Sequence, residues 1–240
     1  MEQKAGKTRR TLSIVIPTYN EGRTLDALLQ NVSSAPLPDG FVSEIIVVDD
    51  GSTDHTSAVL DGWKGKVITL HHQKNLGKGA AITAGFKRST GDVVVIQDAD
   101  LEYNPKDWNL MLAPILEGSA DAVFGSRFIS AAPHRVLYFW HYLGNRVITA
   151  VSNMFTNLNL TDMETCYKMF TRRVIDDIKE KLVSRRFGIE PELTARVKRY
   201  RVYEVGISYH GRTYREGKKI NWRDGIAAFW HIVRFNVFSK

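Results

Sequence analysis

Short apolar runs alternate with helical patterns along the first half of the chain. The runs are rich in β-branched residues, which is typical of buried strands. Between them, apolar residues recur at helical spacing, as in the set Leu25, Leu28, Leu29 and Val32. We predict strands at residues 12–16, 44–50, 67–70, 93–97 and 120–124. This alternation predicts an α/β fold with a mainly parallel, twisted sheet flanked by helices.

Single residues set the expected bounds of the first elements. Pro17 is expected to stop the first strand, because proline fixes its own φ and disfavours helix in its neighbour. Asn20 is expected to cap the helix that follows. Residues 1–10 are basic and polar and are predicted to form a disordered tail. Residues 11–240 are predicted to form a single domain with two halves, 11–127 and 128–240.

The second half carries longer helical patterns, over residues 135–158 and 222–238. Apolar stripes edged with arginine suit the interface between lipid headgroups and acyl chains, but helical stripes also commonly face a core. Both interpretations stay open for both helices. The first stripe comprises Trp140, Leu143, Val147, Val151, Met154 and Leu158. We also predict strands at 166–170 and 201–207, and helices at 173–182 and 190–199.

The composition is that of a soluble globular protein, with 43% hydrophobic and 25% charged residues. A formal net charge of +7 and a pI near 9.4 indicate an anionic partner, such as a nucleotide, a phospholipid surface or nucleic acid. Nucleic acid is disfavoured because the basic residues are spread along the chain instead of forming one binding module.

Cys166, the one cysteine, excludes an internal disulfide and fits a reducing compartment. We expect it to be a buried structural thiol in a strand. The basic N-terminal residues are not followed by an apolar segment, and no apolar run reaches the roughly 18 residues of a membrane span. Neither a signal peptide nor a transmembrane helix is therefore predicted.

Polar side chains follow three predicted strands where each strand ends, in the segments 17–21, 49–52 and 98–100. The carboxyl ends of parallel strands lie side by side, so these segments should meet in one crevice. Asp98 and Asp100 are two residues apart on an extended strand, so both side chains should point the same way and bind one cation. A turn cap and a solvated acid are the alternative.

The loop at 75–79 is too short for a Walker A phosphate loop. Its backbone amides and Lys78 can nevertheless lie near phosphate groups. A solvated lysine in a flexible turn is the alternative.

These segments together closely resemble the family 2 glycosyltransferases of GT-A fold, and within them the polyprenyl-phosphate (dolichol-phosphate) hexose synthases. The resemblance covers nearly the whole chain and implies one GT-A domain with a C-terminal amphipathic helix. Its motifs are PTYNE at 17–21, VVDDGSTD at 47–54, NLGKGAA at 75–81, QDADLEYNP at 97–105 and GSR at 125–127.

The resemblance implies a nucleotide-sugar donor site and a metal. The implied donor contacts are Pro17, Tyr19, Glu21, Asp50, Lys78 and Asp98. For Glu21 and Asp50, turn and cap chemistry is the alternative. Asp98 and Asp100 resemble the family's DxD motif, which holds Mg²⁺ or Mn²⁺ on the donor diphosphate. Glu102 stands where some relatives have a glutamine near the metal, and its direct ligation stays open.

The acceptor of such an enzyme is a phosphate, which needs positive charge more than a strong general base. The implied phosphate contacts are Arg127, Arg146, Ser152, Arg212 and Lys218, with Lys219 beside the last. The arginines and lysines can equally be ordinary surface cations. Asp162 either orients the acceptor or forms a structural turn. The implied catalytic residues are thus Asp100, Arg127 and Asp162.

The expected function is metal-dependent transfer of a hexose, glucose or mannose, with inversion from a UDP- or GDP-sugar to a polyprenyl phosphate. The wording of the motifs is closer to the glucosyl-type branch. One alternative is a family 2 enzyme with a soluble glycan or protein acceptor, and another is a non-catalytic nucleotide-binding membrane scaffold. We expect a cytoplasmic protein attached peripherally to the cytoplasmic face of a membrane through its interfacial helices or a membrane-protein partner.

Overall fold

The computed structural model describes residues 9–129, 135–136, 138–212 and 222–238. Within them, a seven-stranded sheet has the order β3-β2-β1-β4-β6-β5-β7. β6 runs antiparallel to β4 and β5, and the other neighbours are parallel. The strands are β1 Arg10–Thr18, β2 Phe41–Asp49, β3 Ile68–His71, β4 Val93–Ile96, β5 Ala122–Ser126, β6 Lys168–Thr171 and β7 Val202–Gly206. The predicted mainly parallel sheet is confirmed.

Helices connect the strands and follow the last one. They are α1 Leu25–Ser34, α2 Thr56–Asp61, α3 Lys78–Arg88, α4 Trp108–Leu116, α5 Phe139–Thr156, α6 Arg172–Ile178, α7 Ile189–Val197 and α8 Trp222–Val233. A 3₁₀ turn, Pro105–Asp107, precedes α4, and a π-helical turn, Arg234–Phe238, continues α8. Among the helices described, not one has both the length and the hydropathy needed to cross a bilayer.

The core lies on both faces of the sheet because alternate side chains of a strand point to opposite faces. In β1, Leu12, Ile14 and Ile16 pack against α1, α2 and α4. Val15, between them, belongs to the opposite cluster with α3, α6 and α7. Helices therefore cover both faces of a sheet whose strand ends stay open at one edge.

β1 differs from its predicted bounds at both ends. It begins at Arg10, so the predicted tail 1–10 is too long; residues 1–8 lie outside the described residues. It continues through Pro17, which pairs in register with Val48. Proline is tolerated because pairing with β4 ends at Val15, so this part of β1 has a ladder on one side only.

The predicted cap at Asn20 is wrong. Asn20 has φ +53°, and its side chain accepts a hydrogen bond from the Thr53 backbone N–H at 2.8 Å. α1 begins at Leu25, four residues after the cap position would require. Asn20 instead ties the end of β1 to the turn after β2, which helps to hold the two strand ends together.

α5 has an unusual distribution of side chains. It buries a largely polar stripe: Asn145, Ile148, Thr149, Ser152 and Thr156. Ile148 packs with Ala228 and Ile232 of α8. Trp140 and Met154, from the predicted apolar stripe, are 77% and 82% exposed. The core interpretation of that stripe is therefore wrong for these residues, because the helix turns its polar side inward.

Candidate active site

The ends of β1, β2 and β4 meet at a cleft of 640 Å³. The strands are parallel neighbours, so the segments that follow them leave the sheet at the same edge. The predicted residues in its lining are Pro17, Tyr19, Glu21, Asp50, Lys78, Asp98, Asp100, Glu102, Arg127 and Arg212. The structure thus brings together residues that are nearly 200 positions apart in sequence.

Asp98 and Asp100 share the cleft for a reason other than the predicted one. β4 ends at Ile96, and Ala99 and Asp100 lie in a turn followed by Leu101 with φ +64°. The two-residue alternation of a strand therefore does not apply, and the turn itself presents both carboxylates to the cleft.

Asp98 is bound by Lys78 at 2.8 Å in the interior of the cleft wall. Lys78 Nζ also lies 2.7 Å from Cys166 Sγ and 3.6 Å from Glu190 Oε1. Burial favours the neutral form of each group, but the charge of Lys78 lowers the pKa of Asp98 and the charge of Asp98 raises that of Lys78. At neutral pH the pair is therefore ionised.

A second buried cation, Lys168, supports this pair from behind. Its Nζ donates to Glu190 Oε2 at 2.7 Å and to the backbone carbonyls of Met163, at 3.0 Å, and Thr165. Glu190 therefore stands between Lys168 and Lys78. A buried carboxylate shared by two ammonium groups fixes the wall of the cleft in place.

Asp100 and Glu102 are bound by Arg212. Its Nη2 donates to Asp100 at 2.6 Å, and its Nε donates to Glu102 at 3.1 Å. The second oxygen of Glu102 accepts from the Tyr209 hydroxyl at 2.8 Å. Burial and the charges of Asp98 and Glu102 raise the pKa of Asp100 to about 7. Glu102 thus anchors segment 209–212 over the acid pair.

Arg127 is held by Asp162 in a two-point ion pair, with Nε–Oδ2 2.7 Å and Nη2–Oδ1 2.8 Å. Asp162 is 0% exposed and does not belong to the lining of the cleft, whereas Arg127 does. The guanidinium carbon of Arg127 also lies 5.3 Å from the ring centroid of Tyr209. Asp162 therefore holds the arginine from behind and does not itself line the cleft.

Asp50 organises the loop that carries Lys78. Its carboxylate accepts from the backbone N–H groups of Leu76 and Gly77 at 2.9 and 2.7 Å, and His72 Nδ1 lies 2.6 Å away. Gly77 has φ +102°, and a Cβ there would collide with the Arg185 carbonyl. The glycine lets the two loops touch.

A second cavity of 450 Å³ adjoins the cleft. Aromatic side chains dominate its lining, including Phe128, Tyr138, Phe139 and Tyr142. The two cavities share Arg127, His141 and Tyr209 in their linings. We refer to the first as the cleft and to the second as the aromatic groove. Arg127 stands where they join.

Two predicted phosphate contacts, Arg146 and Ser152, fall outside both linings. Arg146 is exposed and lies over the ring of Tyr142, at 5.8 Å. Ser152 is 1% exposed on the inward stripe of α5, so its predicted contact with a ligand is wrong. Lys218 lies outside the described residues, as does Lys219.

The acid residues suit a hard divalent cation by their chemistry. Asp98, Asp100 and Glu102 place carboxylate oxygens at one cleft. Burial and repulsion from the other two acids raise the pKa of Asp100, and a cation would offset both effects. No group of three or more His, Cys, Asp or Glu side chains is arranged as a metal site in the described part of the chain. Water and substrate phosphates would therefore supply part of such an ion's shell.

Several residues of the cleft are missed by the sequence analysis: Tyr103, His141, Glu164, Cys166, Arg186, Phe187, Glu190 and Tyr209. Cys166 was expected in a strand, but β6 begins at Lys168 and the thiol lies in the cleft wall. Burial raises its pKa, so it is a thiol at neutral pH. In the sequence, only the two acids Glu164 and Glu190 could have indicated that these segments contribute to the cleft.

The fold has close counterparts among solved glycosyltransferase structures. Glucosyl-3-phosphoglycerate synthase from Mycobacterium tuberculosis, in complex with Mn²⁺, UDP and glucosyl-3-phosphoglycerate, superposes with a TM-score of 0.73 at 20% identity, over 97% of this chain and 81% of that one. Its complex with phosphoglyceric acid gives 0.72 at 22% identity. The architecture is therefore the GT-A fold, as predicted.

The sequence itself gives the family. The profile of glycosyl transferase family 2 matches residues 13–179, and the chain belongs to that family. This chain is a glycosyltransferase, which confirms the predicted enzyme class.

Curated relatives act on lipid phosphates by name. UDP-N-acetylglucosamine--dolichyl-phosphate N-acetylglucosaminyltransferase of Methanococcus voltae is 23% identical over 93% of this chain and 95% of its own length. Dolichol-phosphate mannosyltransferase of Pyrococcus furiosus is 29% identical over 87% of this chain, which spans 60% of that protein. Undecaprenyl-phosphate 4-deoxy-4-formamido-L-arabinose transferase of Pseudomonas aeruginosa is 40% identical over 40% of this chain and 30% of its own.

Proposed function

We propose that this glycosyltransferase transfers a hexose, with inversion, from a nucleoside diphosphate sugar to the phosphate of a polyprenyl phosphate. The observation that carries the proposal is the position of Arg127, in the wall shared by the charged cleft and the aromatic groove. A guanidinium at that junction suits a phosphate whose hydrocarbon chain follows the groove. The names of the curated relatives support the same acceptor class.

The donor is assigned to the cleft. Tyr19 and Glu21 lie at its β1 end and would contact the base and ribose, with Pro17 beside them. Asp50 would contribute indirectly, because its oxygens hold the Leu76–Gly77 backbone. The ammonium of Lys78 is ionised in the wall and favours the diphosphate there.

A divalent cation, Mg²⁺ or Mn²⁺, would be held by Asp98 and Asp100. When bound, such an ion offsets the negative charge of the departing nucleoside diphosphate. In the structure, Arg212 forms ion pairs with Asp100 and Glu102. Release of this arginine toward the phosphates would free Asp100 for the ion, and Glu102 would keep its anchoring contact with Tyr209.

The reaction needs no separate strong base. A phosphate monoester oxygen attacks the anomeric carbon, the bond from that carbon to the diphosphate oxygen breaks, and the nucleoside diphosphate leaves with the electron pair. The role of Arg127 is to align the attacking phosphate, and that of Asp162 is to fix the arginine through its two-point ion pair.

The exposed side of α5 is assigned to the membrane surface. Phe139, Trp140 and Met154 are 63%, 77% and 82% exposed, which is a large apolar area for a soluble face. Arg146 lies among them and suits anionic headgroups. With this assignment we propose peripheral attachment to a membrane, at its cytoplasmic face, with or without a membrane-protein partner.

A donor panel tests the proposal. UDP-glucose, GDP-mannose and UDP-N-acetylglucosamine are each incubated with a short polyprenyl phosphate, with soluble sugars and with a peptide, with and without Mn²⁺. We expect metal-dependent transfer of glucose or mannose to the lipid phosphate alone. Transfer to a soluble acceptor instead would replace this function by the soluble-glycan alternative, and no transfer or donor hydrolysis with any combination would favour a non-catalytic protein.

A further inference from the structure

Glu164 is a cleft residue that the proposed reaction leaves without a task. Its carboxyl belongs to the lining of the cleft, and its Oε1 is buried with no hydrogen-bond partner among the described residues. Buried acceptors are rarely left unsatisfied, because the loss of hydration costs free energy that folding does not return. A ligand that supplies a hydrogen bond is one way to recover it.

The charges around Glu164 show that it is not part of a structural ion pair. The two cations whose charge reaches Glu164 already have carboxylate partners: Lys168 pairs with Glu190, and Arg127 pairs with Asp162. Glu164 is the carboxyl left over in this group. Burial and the charge of Glu190 raise its pKa to about 7.

The raised pKa of Glu164 limits the kinds of ligand group that its carboxyl can bind. A carboxyl that is half protonated near neutral pH can both donate and accept a hydrogen bond. A phosphate matches it poorly, because a phosphate offers acceptors and negative charge. A sugar hydroxyl, which is also both donor and acceptor, matches it well.

The backbone around Glu164 is held before any ligand binds. The Met163 N–H donates to Thr149 Oγ1 at 3.1 Å, and the Cys166 N–H donates to the Tyr103 hydroxyl at 3.3 Å. Lys168 binds the carbonyls on both sides of Glu164, those of Met163 and Thr165. A side chain on so fixed a segment can discriminate between ligands that differ by one group.

We propose that the Glu164 carboxyl binds a ring hydroxyl of the donor hexose and thereby selects donors in which that hydroxyl is free. This inference rests on the proposed function, because it places the donor sugar in the cleft. Glu164 lies within electrostatic range of both Arg127 and Glu190, and Glu190 is 3.6 Å from Lys78, so the carboxyl is near the acceptor arginine and near the wall that carries Lys78. The anomeric carbon must also lie between acceptor and diphosphate.

Equilibrium binding without any acceptor tests this role. Kd values for UDP-glucose, UDP, GDP-mannose and GDP are measured with Mn²⁺ for the parent, Glu164→Ala, Glu164→Gln and the exposed control Glu117→Ala. For one of the two sugar nucleotides, Glu164→Ala should raise Kd about tenfold while Kd of the matching nucleotide stays within about twofold. Glu164→Gln should retain most of the affinity, because an amide also donates and accepts. The control should match the parent.

Monodeoxy analogues of that sugar nucleotide identify the contact. One analogue should bind the parent about tenfold more weakly than the complete sugar nucleotide does. The affinity of Glu164→Ala for this analogue should show no additional loss. The proposal would be overturned if Glu164→Ala weakened the affinity for the sugar nucleotide and for the nucleotide equally, or weakened neither. It would also be overturned if the losses of affinity from Glu164→Ala and from the deoxy change were additive for every analogue, or if the parent bound neither sugar nucleotide.

The assay separates this inference from the proposed function. Failure to glycosylate polyprenyl phosphate, with the Glu164 effect on binding intact, would overturn only the acceptor. Transfer to polyprenyl phosphate with no Glu164 effect would overturn only the hydroxyl contact.

Discussion

The cleft and the aromatic groove are built in opposite ways. The cleft is walled by three ion pairs between side chains of the protein: Lys78–Asp98, Lys168–Glu190 and Arg127–Asp162. The groove is lined by aromatic residues around the start of α5, a helix that exposes apolar residues and buries polar ones. One site is therefore organised before its ligand arrives, and the other exposes apolar surface among the described residues.

The largest effect on activity should come from substitution in the acid pair of the cleft, Asp98 and Asp100. Asp100→Ala should lower the rate of transfer at least about a thousandfold, because it removes a proposed ligand of the metal ion that we propose offsets leaving-group charge. Asp100→Asn should be nearly as inactive. Initial rates with and without chelator, together with circular dichroism to show an intact fold, measure this. Near-parental activity of Asp100→Ala in chelator would contradict the metal role.

Substitution of Arg127 should affect the KM for the acceptor much more than the KM for the donor. Arg127→Lys should raise KM for polyprenyl phosphate roughly thirtyfold, because the two-point geometry is lost, while KM for the donor changes by no more than about threefold. Arg127→Ala should show a larger effect but also cost about 3 kcal/mol of stability, since the buried Asp162 loses its charged partner and keeps only the backbone N–H of residue 127.

A double variant serves as the control for that stability cost. Arg127→Ala with Asp162→Asn should regain much of the lost unfolding free energy but none of the acceptor use. Unchanged acceptor kinetics in Arg127→Lys would contradict the position of the phosphate at the junction.

The titration of Glu164 probes how firmly the cleft is organised. Its pKa is raised from 4.5 to about 7 in the folded protein. Folding thus favours the protonated form, and the associated stability is complete below the unfolded pKa and lost as pH rises through about 7. The parent should lose roughly 2 to 3 kcal/mol more unfolding free energy than Glu164→Gln between pH 5 and pH 8. Parallel denaturation curves for the two across this range would contradict the raised pKa.

The smallest effect should come from single residues of the exposed α5 side. Trp140→Ser should weaken binding to anionic vesicles about tenfold, because less apolar surface enters the lipid, with the melting temperature unchanged. Leu110→Ser, at a 53% exposed position on α4, is the matched control and should bind as the parent does. Equal binding of both variants in vesicle co-sedimentation would contradict the membrane assignment.

The side of the site that we assign to the donor can be predicted from sequence because its residues follow strands. The apolar runs locate β1, β2 and β4, and parallel pairing then brings Glu21, Asp50 and Asp98 to one edge. What pairing could not give was the local contact: Asp50 binds the Leu76–Gly77 backbone, and Asn20 binds Thr53. Such turn contacts depend on φ values that hydrophobic periodicity does not encode.

The side that we assign to the acceptor is harder to predict because α5 departs from the usual helical pattern. An apolar stripe predicts the buried side of a helix when the helix buries its apolar residues. In α5, however, Ser152 and Thr149 are buried while Trp140 is exposed. Glu164 and Glu190 escaped notice for a related reason. Their approach to the cleft depends on how β6 and α7 pack against β4 and α3, which no short sequence window contains.

The most direct measurement compares two acceptors that differ only in the phosphate. The enzyme is given a labelled nucleotide sugar, selected by the donor panel, with a short polyprenyl phosphate or with the alcohol of the same chain length. We expect label in the lipid fraction only with the phosphate, and a new product heavier by one hexose residue. Equal labelling of the alcohol, or labelling of neither lipid while a soluble acceptor is glycosylated, would contradict the account.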